Sequence, residues 1–286
     1  MNTGILGQRY QADDALGYYE GPEVGHLLLR AFAEAGLDPD ALDIDDLASL
    51  DEFRALGRAA TVALADLASV APRERVLDIG AGLGGPARFL AARRGAHVTA
   101  LDATLRFCRA AELLTRGAGL ADRVEVVRGD ALALPFPNAT FDVAWSQAVS
   151  QNIADKPRFI AEATRVVRPG GRVALFEVVA GPGGPLRLPV PWADHERESW
   201  LMRPEELRAL IEAGPLELVA WNLGEAALAT IAAAAQTLRP GTGAAALGLK
   251  LLMPDFEARM AGLARNVAED RITLVQAVAR RSGTHQ

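Results

Sequence analysis

The run Val76-Leu77-Asp78-Ile79-Gly80-Ala81-Gly82-Leu83-Gly84-Gly85-Pro86-Ala87-Arg88-Phe89-Leu90 constrains the fold more than any other stretch of the chain. An apolar segment (Val76, Leu77, Ile79) stops at a glycine cluster, and an amphipathic stretch follows at once. That reads as strand, tight turn, helix. Gly80 and Gly82 let the backbone turn sharply and approach a ligand where a Cβ would collide. Gly84 or Gly85 lets the following helix pack closely on its strand. Amide groups at that helix start are free to meet an oxygen-rich ligand. So dense a glycine cluster is costly in chain entropy, which a turn without a ligand does not explain.

Gly80, Gly82 and Gly85 also satisfy G-x-G-x-x-G, the spacing of dinucleotide-binding turns. The spacing alone therefore leaves two ligand classes open. Asp78 separates them, because a carboxylate two positions before the first glycine attracts a cationic group and repels a pyrophosphate. The pattern Asp78-x-Gly80-x-Gly82-x-Gly84 resembles motif I of the class I S-adenosylmethionine-dependent methyltransferases. Their ligand carries an amino-acid end and a sulfonium.

With 286 residues, half of them hydrophobic, the chain has room for one large α/β domain with additions. A formal net charge of −6 argues against nucleic acid as the main partner, since phosphate binding needs a basic surface. Cys108 is the only cysteine, so neither an intrachain disulfide nor a cysteine zinc site can form. His26, His97, His195 and His285 lie scattered without ligand spacing, and no metal is expected. The start of the chain lacks a basic stretch followed by an apolar one. The alanine-rich run 226–235 is too short to span a bilayer. A cytoplasmic protein without stable membrane insertion is the expectation, and the oligomeric state is not legible.

Along the chain, residues 1–70 read as an N-terminal helical cap. Tyr10, Tyr18 and Tyr19, the only tyrosines, suggest a lid whose rings offer an apolar face and a hydroxyl. A helix runs from Pro22 to Gly36, and Asp51 is expected to cap a second one carrying Phe53, Leu56, Ala60, Leu64 and Leu67 on one face. Residues 71–221 form the ligand-binding core. Its strands are 76–79, 97–102, 124–131, 141–147, 172–179 and 216–221, alternating with a helix through 89–92 that ends near Gly95 and with helices at 105–115, 157–167 and 204–213. Alternation of this kind implies a doubly wound, Rossmann-like parallel sheet. Residues 222–270, rich in alanine and broken by Pro240-Gly241 and Met253-Pro254, read as two or three short helices inserted before the last strand. Residues 271–286 supply that strand and a tail. With the N-terminal helices, the insertion could roof the site or cover a bare sheet edge.

Ligands of open α/β sheets sit at the carboxyl ends of the strands, near the switch in strand order. Asp78, Gly80, Ala81, Gly82, Asp102, Ala103, Asp130, Ala131, Ser146 and Gln147 all fall at such ends, so one ligand could touch all of them. The glycine turn with Asp78 would hold its amino-acid end. Asp102, about twenty residues after Gly80, would accept from two ribose hydroxyls. Asp130 would accept from an adenine amine while the Ala131 amide donates to a ring nitrogen. Any single carboxylate here is explained by a turn or a helix cap. Three at matching ends are not. Cys108, on an apolar helix face, reads as packing.

From about Arg73 to Trp221 the chain resembles the small-molecule branch of the class I methyltransferases, which includes sarcosine/dimethylglycine, ubiquinone/menaquinone and tocopherol enzymes. The matching later motifs are Gly129-Asp130-Ala131, Pro135-Phe136, Phe141-Asp142-Val143 and Arg168-Pro169-Gly170-Gly171. The resemblance implies S-adenosyl-L-methionine as cofactor and methyl transfer to a small amine, hydroxyl or activated carbon. Many similar proteins carry a histidine or acid where this chain has Ala148, and often a histidine where it has Arg54. Gln147, Ser146 and Asn152 then remain to orient an acceptor, with Gln147 and His195 as the candidate catalytic residues. His195 is the candidate base on the loop after the fifth strand, although a lone histidine in a charged loop is ordinarily solvated surface. Two other readings compete. One is a cofactor-binding protein that has lost or repurposed methyl transfer, which Ala148 keeps open. The other, an NAD-dependent oxidoreductase, conflicts with Asp78.

Overall fold

The computed structural model describes residues 24–51, 57–235, 252–253 and 255–283. The expected tyrosine lid, Arg54 and the Pro240-Gly241 break lie outside the described residues. The helices are α1 (Val24–Ala35), α2 (Ala48–Asp51), α3 (Gly57–Leu67), α4 (Gly85–Arg94), α5 (Leu105–Gly117), α6 (Lys156–Val166), α7 (Pro204–Glu212), α8 (Glu225–Ala235) and α9 (Phe256–Ala268). The strands are β1 (Arg75–Ile79), β2 (His97–Asp102), β3 (Val124–Arg128), β4 (Phe141–Gln147), β5 (Val167–Ala180), β6 (Leu216–Leu223) and β7 (Ile272–Arg281). They form one seven-stranded sheet in the order β3-β2-β1-β4-β5-β7-β6. The β1–β5 pairings are parallel, and β7 runs antiparallel between β5 and β6. The strand order reverses between β1 and β4, which puts the crevice above their carboxyl ends.

Strands β1 and β4 are buried on both faces, and their apolar residues are interrupted by polar ones, notably Asp78 in β1 and Ser146 and Gln147 in β4. On one face Val76, Val98, Val143, Trp145 and Phe176 pack under α3 and α4. On the other, Leu77, Ile79 and Leu175 pack against Phe159 and Ile160 of α6 and Leu207 and Ile211 of α7. Helix α1 buries Val24, Leu28 and Phe32 against α5 and against Leu83 of the glycine turn. Helix α8 packs on α3, β6 and β7. Helix α9 lies on the loop that follows β5, where Gly262 lets it approach so closely that a Cβ would stand 1.9 Å from the Pro189 carbonyl oxygen.

Several boundaries differ from expectation. Asp51 ends the short helix α2 rather than capping a helix, and the residues joining it to α3 lie outside the described set. Strand β3 stops at Arg128. Asp130 instead belongs to a tight turn, its Oδ1 accepting from the Leu132 amide at 2.8 Å. Strand β5 begins at Val167. Phe141 pairs with Val167 and Val143 with Arg172, so the Arg168-Pro169-Gly170-Gly171 segment loops out of the ladder between them.

Candidate active site

The glycine turn is tied to the neighbouring strand by its own amides. Gly80 and Ala81 both donate to the Leu101 carbonyl of β2, at 2.8 and 2.9 Å. Gly80, Gly82 and Gly84 all take left-handed backbone angles (φ +72°, +58° and +80°), which side chains with a Cβ resist. A Cβ on Gly80 would also lie 2.4 Å from Cγ2 of Val149, the residue two beyond the end of β4. Three stretches therefore meet here: the β1 turn, the β2 end and the β4 turn.

Asp102 links the first two. Its Oδ2 accepts from the Gly82 amide and its Oδ1 from the Thr104 amide, both at 2.8 Å. A carboxylate oxygen can accept more than one hydrogen bond, so holding this loop is compatible with a role toward ligand hydroxyls. Asp78 lies beneath the turn, level with Ala100 of β2 and Trp145 of β4, and is fully buried. Ala103 accepts from Arg128 Nε at 3.1 Å, which pins the β2 loop to the end of β3. Ala131 is half-buried in the turn closed by Asp130. Cys108 is buried against the Asp102 carbonyl, and burial pushes its thiol up to about 12, so it stays protonated and packs.

Ser146 and Gln147 are both buried and engaged. Gln147 Oε1 accepts from Thr61 Oγ1 of α3 and from Trp145 Nε1, each at 3.1 Å. Ser146 Oγ donates to Glu177 Oε1 at 3.2 Å. Asn152 donates through Nδ2 to the carbonyls of Trp192 and Glu198, fastening the β4 turn to the loop after β5. His195 sits exposed on that loop, its amide donating to Glu198 Oε2. Asp78, the glycine turn, Asp102 and the β4 turn thus converge, while His195 belongs to an outer turn.

Two residues that matter to this geometry had no role assigned from sequence. Val149 closes on Gly80. Glu177, a carboxylate inside the apolar run Leu175-Phe176-Glu177-Val178-Val179, holds the β4 turn from below. A charged residue within a buried strand was the signal available for it.

The polar groups suit the cofactor that the sequence implies. S-adenosylmethionine is cationic at sulfur and carries hydroxyl and amine donors. The strand ends offer the carboxylates of Asp78, Asp102 and Asp130 and left-handed glycines where backbone must come close. A pyrophosphate would meet those same carboxylates unfavourably.

Comparison with known proteins gives the same direction. Residues 77–175 match the family described as methyltransferase domain. A glycine/sarcosine/dimethylglycine N-methyltransferase of Actinopolyspora halophila is 38% identical over 117 residues, 41% of this chain and 21% of that protein. Methyltransferase GfsG of Streptomyces halstedii is 34% identical over 165 residues, 57% of this chain and 56% of that protein. The chain thus spans between about a fifth and just over half of the length of these relatives. The crystal structure of geranyl diphosphate C-methyltransferase from Streptomyces coelicolor A3(2), which contains S-adenosyl-L-homocysteine, superposes with a TM-score of 0.63 at 17% identity. That match covers 96% of this chain and 99% of the other. Over residues 77–175 the sequence is similar to the methyltransferase domain family, and the fold is shared with a solved methyltransferase.

Proposed function

We propose that this protein transfers the methyl group of S-adenosyl-L-methionine to a small-molecule acceptor. The observation that carries the reading is the Asp102 carboxylate, which ends β2 and is bonded to the Gly82 amide of the glycine turn. The cofactor, when bound, supplies a methyl already activated on a sulfonium. What remains for the protein is to align the acceptor and exclude water. In this reading Asp102 takes the ribose hydroxyls. Asp130 and the Ala131 amide meet the adenine edge. Asp78 places negative charge beneath the turn, where the amino-acid end lies. The segments 1–70 and 222–270 act as a cap over a core of residues 71–221, closed by the final strand in 271–286.

Ser146, Gln147 and Asn152 are neutral and can position an acceptor, but they cannot remove a proton at neutral pH. Ala148 adds no ionisable group beside them. The acceptor is therefore nucleophilic without a strong base, such as an amine of modest pKa or an electron-rich carbon. The exposure of His195 supports that account over one in which it is the base.

Among the described residues, no helix is long and apolar enough to cross a membrane. Among them, too, no group of three or more His, Cys, Asp or Glu side chains is gathered to hold a metal ion.

Two measurements test the proposal. Calorimetry with S-adenosylhomocysteine and with NAD should give binding to the first alone. Turnover of labelled S-adenosylmethionine against a panel of amines, phenols and carbon nucleophiles should then find an acceptor. Cofactor binding with no turnover on any class would favour the repurposed protein instead. With an acceptor in hand, His195→Ala should lower kcat by less than about tenfold. A loss of about 10²–10⁴-fold would make His195 the general base.

A further inference from the structure

Glu177 is fully buried in β5 with apolar residues on either side, and taking a carboxylate out of water there is costly. An apolar side chain would fill the same volume without that cost. What the carboxylate adds is three hydrogen bonds. Oε1 accepts from Ser146 Oγ at 3.2 Å, and Oε2 accepts from the Ser150 amide at 3.0 Å and from Ser150 Oγ at 2.8 Å. Ser146 is the penultimate residue of β4 and Ser150 opens the short 3-10 turn Ser150–Asn152, so one side chain bridges both ends of the segment between them.

That segment is under constraint. Ala148 holds a left-handed backbone (φ +53°), a conformation that a residue with a Cβ resists. Its amide donates to the Phe176 carbonyl, beside Glu177 on β5, at 2.6 Å. Val149 follows and lies against Gly80. The far side of the turn is fastened by Lys156, buried on α6, whose Nζ donates to the Ile153 carbonyl at 2.8 Å and to the Trp200 carbonyl. A strained backbone of this kind persists only where its surroundings over-determine it.

We propose that Glu177 is a positioning residue of the cofactor site. Through Ser146 and Ser150 it holds the strained Ala148-Val149 step so that Val149 closes on Gly80 and forms the wall facing the glycine turn. The inference rests on the reading of that turn as the S-adenosylmethionine site. Burial raises the pKa of Glu177, opposed by its hydrogen bonds from Ser150 and Ser146 and then by Lys156. Fully buried, it supplies hydrogen-bond geometry rather than a surface charge. A glutamine has the same shape. Its oxygen can take both Ser150 bonds, and its NH2 can donate to Ser146 Oγ, a hydroxyl able to accept.

The test compares the full-length protein with Glu177→Ala, Glu177→Gln and Ser150→Ala. Two readouts are used: the dissociation constant of S-adenosylhomocysteine by calorimetry, and hydrogen exchange of the peptide spanning 146–153. In Glu177→Ala the dissociation constant should rise at least tenfold and the 146–153 amides should exchange faster. Glu177→Gln should stay within about threefold of the parent on both readouts, and Ser150→Ala should fall between. A side chain needed only for global stability would leave affinity unchanged in every variant that folds, and that result overturns the inference. Glutamine as weak as alanine overturns it too, because charge rather than geometry would then be at work. If Glu177→Ala does not fold, Ser150→Ala decides, and parental affinity in that variant rejects the role. A parent protein that does not bind S-adenosylhomocysteine would instead reject the cofactor reading on which the inference stands.

Discussion

At the scale of single residues, the site depends on positions where adding or removing one group has a calculable effect. Gly80 is the sharpest case. Alanine there would meet Val149 at 2.4 Å and would have to hold φ near +72°. Overpacking costs about 1–3 kcal/mol and the left-handed backbone about 1–2 kcal/mol more. Gly80→Ala should therefore lose roughly 2–5 kcal/mol of stability in denaturant unfolding. Adding Val149→Ala should relieve most of the clash, leaving a Cβ contact of 3.3 Å, and recover part of that loss while leaving the backbone term. No recovery would mean that Val149 can move aside at little cost. The glycines were legible in sequence because their chemistry is local: a missing Cβ matters wherever backbone turns or comes close. Asp102 was legible by its place at the end of β2, but its bond to Gly82 was not. Glu177 was not legible as a site residue, because its meaning depends on register. Only the pairing of Gln147 with Phe176 brings β5 level with the β4 turn. Ala148 in sequence was a missing histidine or acid; in the structure it is the strained step of that turn.

At the scale of elements, the loop carrying Asp130 is held to α6 by one buried carboxylate. Glu162 Oε2 accepts from the Leu134 amide at 2.9 Å and from Arg165 at 2.7 Å, and Arg165 also donates to the carbonyls of Leu134 and Phe136. The hydrogen bond from Arg165 comes first among the causes that hold the Glu162 carboxyl below its ordinary value of 4.5. Its stabilisation is thus complete above that value and lost as pH falls through the lower folded one. Glu162→Ala should cost about 2–4 kcal/mol, since it removes the carboxylate partner of Arg165 and leaves the Leu134 amide without its acceptor. Thermal unfolding as a function of pH checks the sign: the gap between parent and variant should narrow below pH 4.5. A gap that widens in acid would contradict it. The alternation of strands and helices was legible from periodicity, which local sequence carries. The ends of β3 and β5 were not, because a tight Asp130 turn and a looped-out Arg-Pro-Gly-Gly segment are decided by pairing with distant strands.

At the scale of the whole molecule, the N-terminal and inserted helices meet the core on opposite sides of the crevice. Helix α1 reaches the glycine turn through Leu83, and α9 is bound to the loop after β5 by Arg259–Asp194 (2.9 Å) and by paired Asn266–Arg187 bonds. If these segments cap the site, α1 should gain hydrogen-exchange protection when S-adenosylhomocysteine is added, and β3 should not. Equal exchange of α1 with and without ligand would count against a cap. The central claim is that the ends of β1 and β2 together form an S-adenosylmethionine site. It is tested most directly by calorimetric titration of S-adenosylhomocysteine into the parent protein, Asp102→Ala and Gly82→Val. Hydrogen bonds to a charged group run about 1.5–3 kcal/mol each and are partly shared, so Asp102→Ala should weaken binding by about 30- to 150-fold. Gly82→Val, with a branched side chain where φ is +58°, should abolish it in a protein that still folds. Parental affinity in both variants, or a parent protein that binds NAD in preference, would contradict the account.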